Sequence, residues 1–217
     1  ISVCDWSSDV CSSDLLVERI FDARHASGEG YGIIASNYDT ELFGHWWFEG
    51  VDWLKQVLRL LAQNPKVELV TASGYVEQHP PQQVIHLPEG SWGAGGTHFT
   101  WDNNDTHWMW KPIHEAERQM EHLANSHKNR YDDAAYRGVL NQAARELLLL
   151  ESSDWPFLVT TGQARQYAIQ RFSQHLERFN DLADSVERGQ PDGALAARLW
   201  ERDRLFPDID YRWWATR

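Results

Sequence analysis

The densest group of potentially reactive side chains lies in YDTELFGHWWFEG, residues 38–50. Asp39 follows a short apolar run, YGIIAS at 31–36, which is typical of a buried strand, and the ends of such strands carry the reacting groups in α/β and barrel folds. His45 and Trp46 follow closely, and flat indole faces suit the C–H faces of sugar rings. A carboxyl group beside indoles is desolvated and keeps its proton at neutral pH, as protonation of a glycosidic oxygen requires. The alternative is that Trp46, Trp47 and Trp53 are core residues and that Asp39 caps a helix.

Hydrophobic periodicity predicts the elements that would position these side chains. Residues 15–26 and 50–62 have apolar side chains at helical spacing, and VELVT at 67–71 is typical of a second strand. Together they predict a β–α–β unit with a buried pair of strands. Residues 72–110 have no sustained periodicity and many Gly, Pro, Asn, His and Trp residues, which is typical of a functional loop. The later pattern is helical, and it predicts helices over 112–126, 132–151, 162–188 and 192–204.

The predicted fold class is therefore α/β followed by all-α. Residues 5–15, DWSSDVCSSDL, resemble the translation of a sequencing-library adaptor. We expect residues 1–15 to be an artefactual leader, and the alternative is a short polar leader. Cys4 and Cys11 both lie in this leader, so the remaining residues offer no disulfide framework and no cysteine metal site.

Composition disfavours several classes of partner. Lys and Arg number 20 against 32 Asp and Glu, giving a net charge of −12, and no basic stripe offers a nucleic acid or anionic membrane surface. No apolar run approaches the roughly 18 residues of a membrane span. The ten histidines include no HExxH and no i, i+4 pair near a suitable carboxylate, so we expect no metal site.

Four motifs resemble segments of glycoside hydrolase family 57 in the same order. DTELFGHWWFEG at 39–50 is similar to the region around the catalytic acid/base of that family. The later segments are GSWGAGGTHFTWDN at 90–103, SSDWPFLVTTGQA at 152–164 and FPDIDYRWW at 206–214. The last two resemble the helical C-terminal region of the α-1,4-glucan branching enzymes in this family. The resemblance runs from about residue 16 to the end of the chain.

This resemblance implies roles for seven side chains. Asp39 matches the proton donor of the family. Six further residues match positions that bind or line the path of the substrate: Trp92, Trp101, Asp154, Gln163, His45 and Trp46. Burial of Trp92 would be unusual, because glycines lie on both sides of it, so we expect its side chain to be exposed. Structural alternatives stay open for the others: core packing for Trp101, helix capping for Asp154, solvent exposure for Gln163 and a backbone hydrogen bond in the core for His45.

The resemblance also implies an architecture and an activity. Residues 16–110 would be the C-terminal portion of a distorted (β/α) barrel with its active-site loop, and residues 111–217 a helical domain. The implied reaction cleaves an α-1,4 link of a glucan such as amylose or glycogen and transfers the chain to a 6-hydroxyl, without a cofactor. A retaining mechanism needs a nucleophilic carboxylate, which in this family lies upstream of anything present here, so we expect the chain alone to be inactive.

Alternatives to branching remain at this point. Within the family, the alternative activities are those of an α-amylase and of a 4-α-glucanotransferase. An alternative from another class is a non-catalytic glucan-binding module. The lack of a readable signal peptide and of cysteines after residue 15 predicts a cytoplasmic protein. The sequence does not predict an oligomeric state.

Overall fold

The computed structural model describes residues 18–27 and 32–216, which fall into two compact units, Ile1–His86 and Leu87–Arg217. The predicted leader, residues 1–15, and both cysteines lie outside the described residues. The division of the chain into domains at residues 110 and 111 stays a prediction.

The first unit contains three described helices and short turns. Helix α1 covers residues 18–26 of the described part, α2 covers Gly50–Gln63 and α3 covers Ala72–Gln78. Thr71 caps α3, because its side-chain oxygen accepts a 3.1 Å hydrogen bond from the backbone N–H of Gly74. The periodicity predicted α1 and α2, whereas α3 lies in a stretch that the sequence indicated as loop.

The predicted strands are wrong. The described residues contain no strand, only an isolated parallel bridge between Phe43 and Trp47. Residues 32–36 and 67–71 have irregular backbone, and Tyr31 lies outside the described residues. An apolar run becomes a buried strand only when neighbouring strands bond its backbone and cover its faces. The described part of this unit supplies no such neighbours, and apolar side chains of both runs are exposed: Ile33, Ile34, Leu69 and Val70.

The second unit is helical, as the sequence predicted. Its helices are α4 (His107–His127), α5 (Ala134–Leu150), α6 (Asp154–Thr161), α7 (Arg165–Glu187) and α8 (Gly193–Arg202). Short 3₁₀ turns cover Ala94–Gly96, His98–Thr100, Lys128–Arg130 and Tyr211–Trp214. The fold class is thus all-helical over the described residues, and the α/β half of the expectation is not observed.

Capping residues explain where the helices of this unit begin and end. The carboxylate of Asp133 accepts hydrogen bonds from the backbone N–H groups of Ala135 and Tyr136 at the start of α5. Gly162 has φ +73°, which ends α6 in a left-handed turn. Because this turn interrupts the helical path, α7 begins at Arg165 rather than at the predicted residue 162.

The core of the second unit is formed by the apolar faces of α4, α5 and α7 with contributions from α6, α8 and the tail. Its largest fully buried side chains include Tyr211, Phe172, Phe179, Met109, Met120 and Leu147. Tyr211 fastens the tail to this core, since its hydroxyl donates a 2.7 Å hydrogen bond to the backbone carbonyl of His127. In the part of the chain that the structure describes, no helix is long and apolar enough to span a bilayer.

Candidate functional site

A groove of about 1360 Å³ in the second unit is lined by four tryptophans, Trp92, Trp101, Trp108 and Trp110. They come from the loop before α4 and from the first turn of α4 itself. Large indole faces in an open groove favour a flat, amphipathic ligand such as a sugar ring. Sequence reasoning identified Trp92 and Trp101 but missed Trp108 and Trp110, whose only signal was the unusual density of tryptophan.

The loop carrying Trp92 depends on glycine. Gly95 and Gly96 have φ of +68° and +71°, a region that other residues rarely adopt. A Cβ at Gly93 would lie 2.8 Å from Thr100 Oγ1 and 2.8 Å from a ring carbon of Trp101. The absence of a side chain at Gly93 therefore lets the loop pack closely against the turn that carries Trp101.

Trp92 projects from this loop with 78% of its surface exposed. Its ring meets Trp101 edge-to-face with centroids 4.9 Å apart, and Phe157 of α6 lies 5.8 Å away on a tilted plane. The exposure expected of a tryptophan between glycines is thus confirmed. These neighbours orient the indole of Trp92 while leaving most of its surface available to a ligand.

The other groove tryptophans are fixed through their indole N–H groups. Trp110 donates a 3.1 Å hydrogen bond to the backbone carbonyl of Trp101, and Trp108 donates a 3.0 Å hydrogen bond to that of Asp105. Trp108 also packs edge-to-face on the buried ring of Phe172, 5.2 Å away. Because the N–H groups are satisfied, the rings contribute flat apolar surface to the groove.

Two of the carboxyl groups that line the groove influence each other: Glu117 on α4 and Glu151 just after α5. Glu117 is held by His114, whose Nδ1 lies 2.8 Å from its Oε2. Burial, together with a smaller effect of the negative charge of Glu117, raises the pKa of Glu151 from 4.5 to about 7. Sequence reasoning interpreted Glu151 only as part of a helix end, and no sequence signal marked its burial.

Two predicted residues of the helical region are exposed and do not line the groove. Asp154 is the first residue of α6 and lies in the sequence between the lining residues Ser153 and Pro156. The N-cap position belongs to Ser153, whose side chain makes no capping hydrogen bond. Gln163 follows Gly162 at the other end of α6. The binding roles of Asp154 and Gln163 stay predictions.

The remaining predicted residues, Asp39, His45 and Trp46, belong to the first unit. Asp39 precedes a 3₁₀ turn at Thr40–Leu42, and its side chain makes no capping hydrogen bond there. His45 and Trp46 contact each other edge-to-face at 5.1 Å.

The expected desolvation of Asp39 by indoles is not observed in this unit. Asp39 is exposed, and Trp46 is 70% exposed. The ring of Trp47 instead packs at 5.1 Å against Trp53 of α2. The indoles of this motif therefore do not cover the carboxyl group within the first unit, and its catalytic role stays a prediction.

One buried cluster in the second unit has the donor set of a metal site. The ligand atoms of Glu146, His175 and Asp203 lie within 4.8 Å of one another. However, Arg178 Nη1 is 2.9 Å from an oxygen of Asp203 and 3.8 Å from Glu146 Oε2. The guanidinium already supplies the positive charge between the carboxylates, so we interpret the cluster as a buried ion-pair network.

Comparisons with known proteins agree with this architecture. Residues 112–214 match the family described as "1,4-alpha-glucan branching enzyme, C-terminal". A 1,4-alpha-glucan branching enzyme of Thermococcus kodakarensis is 46% identical over 199 residues, which cover 89% of this chain and 29% of that protein. The chain thus spans less than a third of the length of this curated relative.

Solved structures show the same similarity. The crystal structure of the Thermococcus glycoside hydrolase family 57 branching enzyme, in complex with glucose and additives, has a TM-score of 0.71 and 41% identity, covering 97% of this chain and 39% of that chain. The branching enzyme of Pyrococcus horikoshii has a TM-score of 0.70 and 39% identity over 98% of this chain and 40% of its own. The alpha-amylase AmyC of Thermotoga maritima has a TM-score of 0.64 and 32% identity over 98% of this chain and 38% of its own.

Proposed function

We infer that this chain belongs to the branching enzymes of glycoside hydrolase family 57, and that it carries the glucan-binding helical region and the catalytic acid of such an enzyme. The reaction we propose cleaves an α-1,4 link of amylose or glycogen and transfers the released chain to a 6-hydroxyl. The observation that carries this proposal is the tryptophan-lined groove, because Trp92 and Trp101 combine exposed indole surface with fixed mutual orientation.

In the proposed mechanism Asp39 acts twice. It protonates the departing glycosidic oxygen, and it then removes the proton from the incoming 6-hydroxyl, as microscopic reversibility requires. A nucleophilic glutamate outside this sequence would hold the glycosyl intermediate. Because this chain contains no residue that matches that nucleophile, we propose that the chain alone binds glucan without turnover.

The groove tryptophans have a second role in this proposal. Stacking of the glucan on Trp92 and Trp101 positions the chain and keeps water away from the intermediate, which favours transfer over hydrolysis. Asp154, Gln163, His45 and Trp46 remain proposed substrate-binding residues. A role in glycogen synthesis and a cytoplasmic location belong to the same proposal and rest on the sequence resemblance.

Two alternatives have specific support. The similarity to the Thermotoga alpha-amylase favours hydrolysis as the second candidate, since that protein shares the fold at 32% identity. A glucan-binding module without chemistry is the other candidate, since Asp39 is exposed in the first unit. The family match and the two branching-enzyme structures support branching over both.

A chimaera tests the proposed reaction. This chain would replace the matching region of the Thermococcus branching enzyme, and new α-1,6 links in amylose would be counted after debranching. We expect branching in the chimaera, a loss of about 10²–10⁴-fold in rate for Asp39→Asn, and little change for Asp52→Asn, an exposed aspartate of α2. Hydrolysis without new α-1,6 links would favour the amylase, and full activity of Asp39→Asn would overturn the catalytic role.

A further inference from the structure

The tryptophan groove is also lined by polar side chains that the proposed stacking on Trp92 does not use. Trp110, His114 and Glu117 follow one another at i, i+4 and i+7 on one face of α4. The rings of Trp110 and His114 are 6.0 Å apart, and His114 Nδ1 is 2.8 Å from Glu117 Oε2. One face of α4 therefore presents the indole of Trp110 and the carboxylate of Glu117 to the groove, with His114 between them.

Glu151 lines the same groove from the end of α5. Within the described residues its carboxyl group has no hydrogen-bond or ion-pair partner, although it is half-buried. Its nearest electrostatic influence is the like charge of Glu117. A half-buried carboxyl group without a partner in an open groove is available to a ligand.

The charged surroundings of Glu151 do not neutralise it. The titratable groups that α4 contributes to the groove lining are His107, Lys111, His114, Glu117 and Arg118. Lys111 lies 3.8 Å from Glu115, and His114 is occupied by Glu117. His107 pairs with Asp102, and His98, another lining residue, pairs with Glu89. Arg118 and Asp154 are exposed, and the charge that affects the pKa of Glu151 is that of Glu117.

The protonation of Glu151 determines what it can bind. With a pKa of about 7, the carboxyl group carries a proton in about half of the molecules at neutral pH. A protonated carboxyl group donates one hydrogen bond and accepts others, whereas a carboxylate only accepts. A sugar hydroxyl can satisfy both kinds of group.

We propose that Trp110, Glu117 and Glu151 form a second glucose subsite of the groove, in which the carboxyl groups bind the hydroxyl edge of a glucan while the indole contacts its apolar face. This subsite rests on the proposed function, since it takes a further ring of the same chain that stacks on Trp92. A sugar over Glu151 would remove more water from its carboxyl group and so favour the protonated form. Glucan binding therefore takes up a proton near neutral pH, and affinity falls as the pH rises through 7.

The test measures the affinity of the 217-residue chain for maltoheptaose at pH 6 and pH 8 by calorimetry. We expect affinity to fall by up to about tenfold, because the protonated fraction of a group with this pKa falls by that factor. Glu151→Gln, which stays neutral and keeps a donor and an acceptor, should bind equally at both pH values. The matched control Glu121→Gln, an exposed glutamate of α4, should keep the pH dependence of the unmodified chain.

A second variant keeps the test decisive if Glu151→Gln disturbs folding. Glu117→Gln removes the like charge beside Glu151, so the pH at which affinity falls should move to lower values. Affinity that does not depend on pH, or an unchanged pH dependence in Glu151→Gln and Glu117→Gln, would overturn the subsite. If the unmodified chain binds no maltoheptaose at either pH, the proposed function fails together with it.

Discussion

The indole N–H of Trp110 donates a 3.1 Å hydrogen bond to the backbone carbonyl of Trp101. This bond joins the first turns of α4 to the loop that carries Trp101, and Trp101 in turn meets Trp92 edge-to-face. A second link comes from Asn103, whose side-chain amide donates a 2.8 Å hydrogen bond to Thr160 of α6. The groove is therefore built from an irregular loop held on two helices, and its geometry depends on these few contacts.

The close approach of the loop at Gly93 predicts the effect of adding one methyl group. Gly93→Ala would place a Cβ 2.8 Å from Thr100 Oγ1 and from the ring of Trp101, so the loop must shift. We expect a loss of about 1–3 kcal/mol in the free energy of unfolding. Urea unfolding of the chain measures this loss.

Gly138→Ala is the matched control for Gly93→Ala. A Cβ at Gly138 meets nothing within 4 Å, and the residue lies inside α5. Since alanine is a better helix former than glycine, the free energy of unfolding of this variant should rise by up to about 1 kcal/mol. Equal stability of the two variants would contradict the packing described for the groove loop.

The buried ion-pair network predicts a large cost for removing its central carboxylate. Glu146 accepts hydrogen bonds from Gln142 at 2.9 Å and from His175 at 2.7 Å, and its side chain is fully buried. Because Nη2 of Arg171 can only donate to Nε2 of His175, 2.9 Å away, Nδ1 of His175 carries the proton that reaches Glu146.

Glu146→Ala would leave His175 and Arg178 without that partner. We expect a loss of about 3–5 kcal/mol in unfolding free energy, because the guanidinium groups of Arg171 and Arg178 would then share the single carboxylate of Asp203. Glu177→Ala, an exposed glutamate of α7, should change stability by less than about 0.5 kcal/mol. A similar small effect in both variants would show that the cluster is not essential to the core.

The raised pKa of Glu151 predicts how stability depends on pH. The folded state holds this proton up to about pH 7, whereas the unfolded chain releases it near 4.5, so the folded state binds more protons between these values. Stability therefore falls as the pH rises from about 4.5 to about 7. Glu151→Gln removes this pH-dependent loss of stability. The melting temperature of the variant should therefore exceed that of the unmodified chain by an amount that grows from about pH 4.5 to about pH 7 and is constant above that.

Thermal unfolding between pH 4 and pH 8 measures the effect of Glu151→Gln. The matched Glu121→Gln variant should follow the unmodified chain at every pH, since Glu121 is exposed. A constant difference between Glu151→Gln and the unmodified chain would mean that Glu151 has the same pKa in the folded and unfolded states, and would contradict its burial.

Local pattern predicted the helices of the second unit because their apolar stripes match the buried residues. For example, Phe172 and Phe179 are apolar residues of the helix predicted over 162–188, and both are fully buried in α7. The run VELVT at 67–71 led to a wrong strand prediction. An apolar pattern can indicate that a segment is suited to burial, but a strand forms only where distant parts of the chain supply strands to pair with it. The short helix α6 was not predicted. Its sequence, which begins near Trp155 and Pro156, was interpreted as part of a family motif and has no clear helical periodicity.

The site was predictable only in part. Glycines around Trp92 indicated an exposed aromatic residue, and the structure confirms that exposure. Glu151 could not be found, because its burial and its proximity to Glu117 arise from the packing of α4 against α5. Single residues on different helices meet through tertiary structure, which leaves no local spacing for sequence reasoning to detect.

A titration of the 217-residue chain with maltoheptaose, monitored by tryptophan fluorescence, tests most directly whether the groove binds glucan. We predict saturable binding that weakens by about tenfold, or about 1.4 kcal/mol, in Trp92→Ala. Trp213→Ala, which removes a tryptophan that is also mostly exposed but does not line the groove, should bind like the unmodified chain. Absence of saturable binding, or equal affinity of the Trp92→Ala and Trp213→Ala variants, would contradict the account.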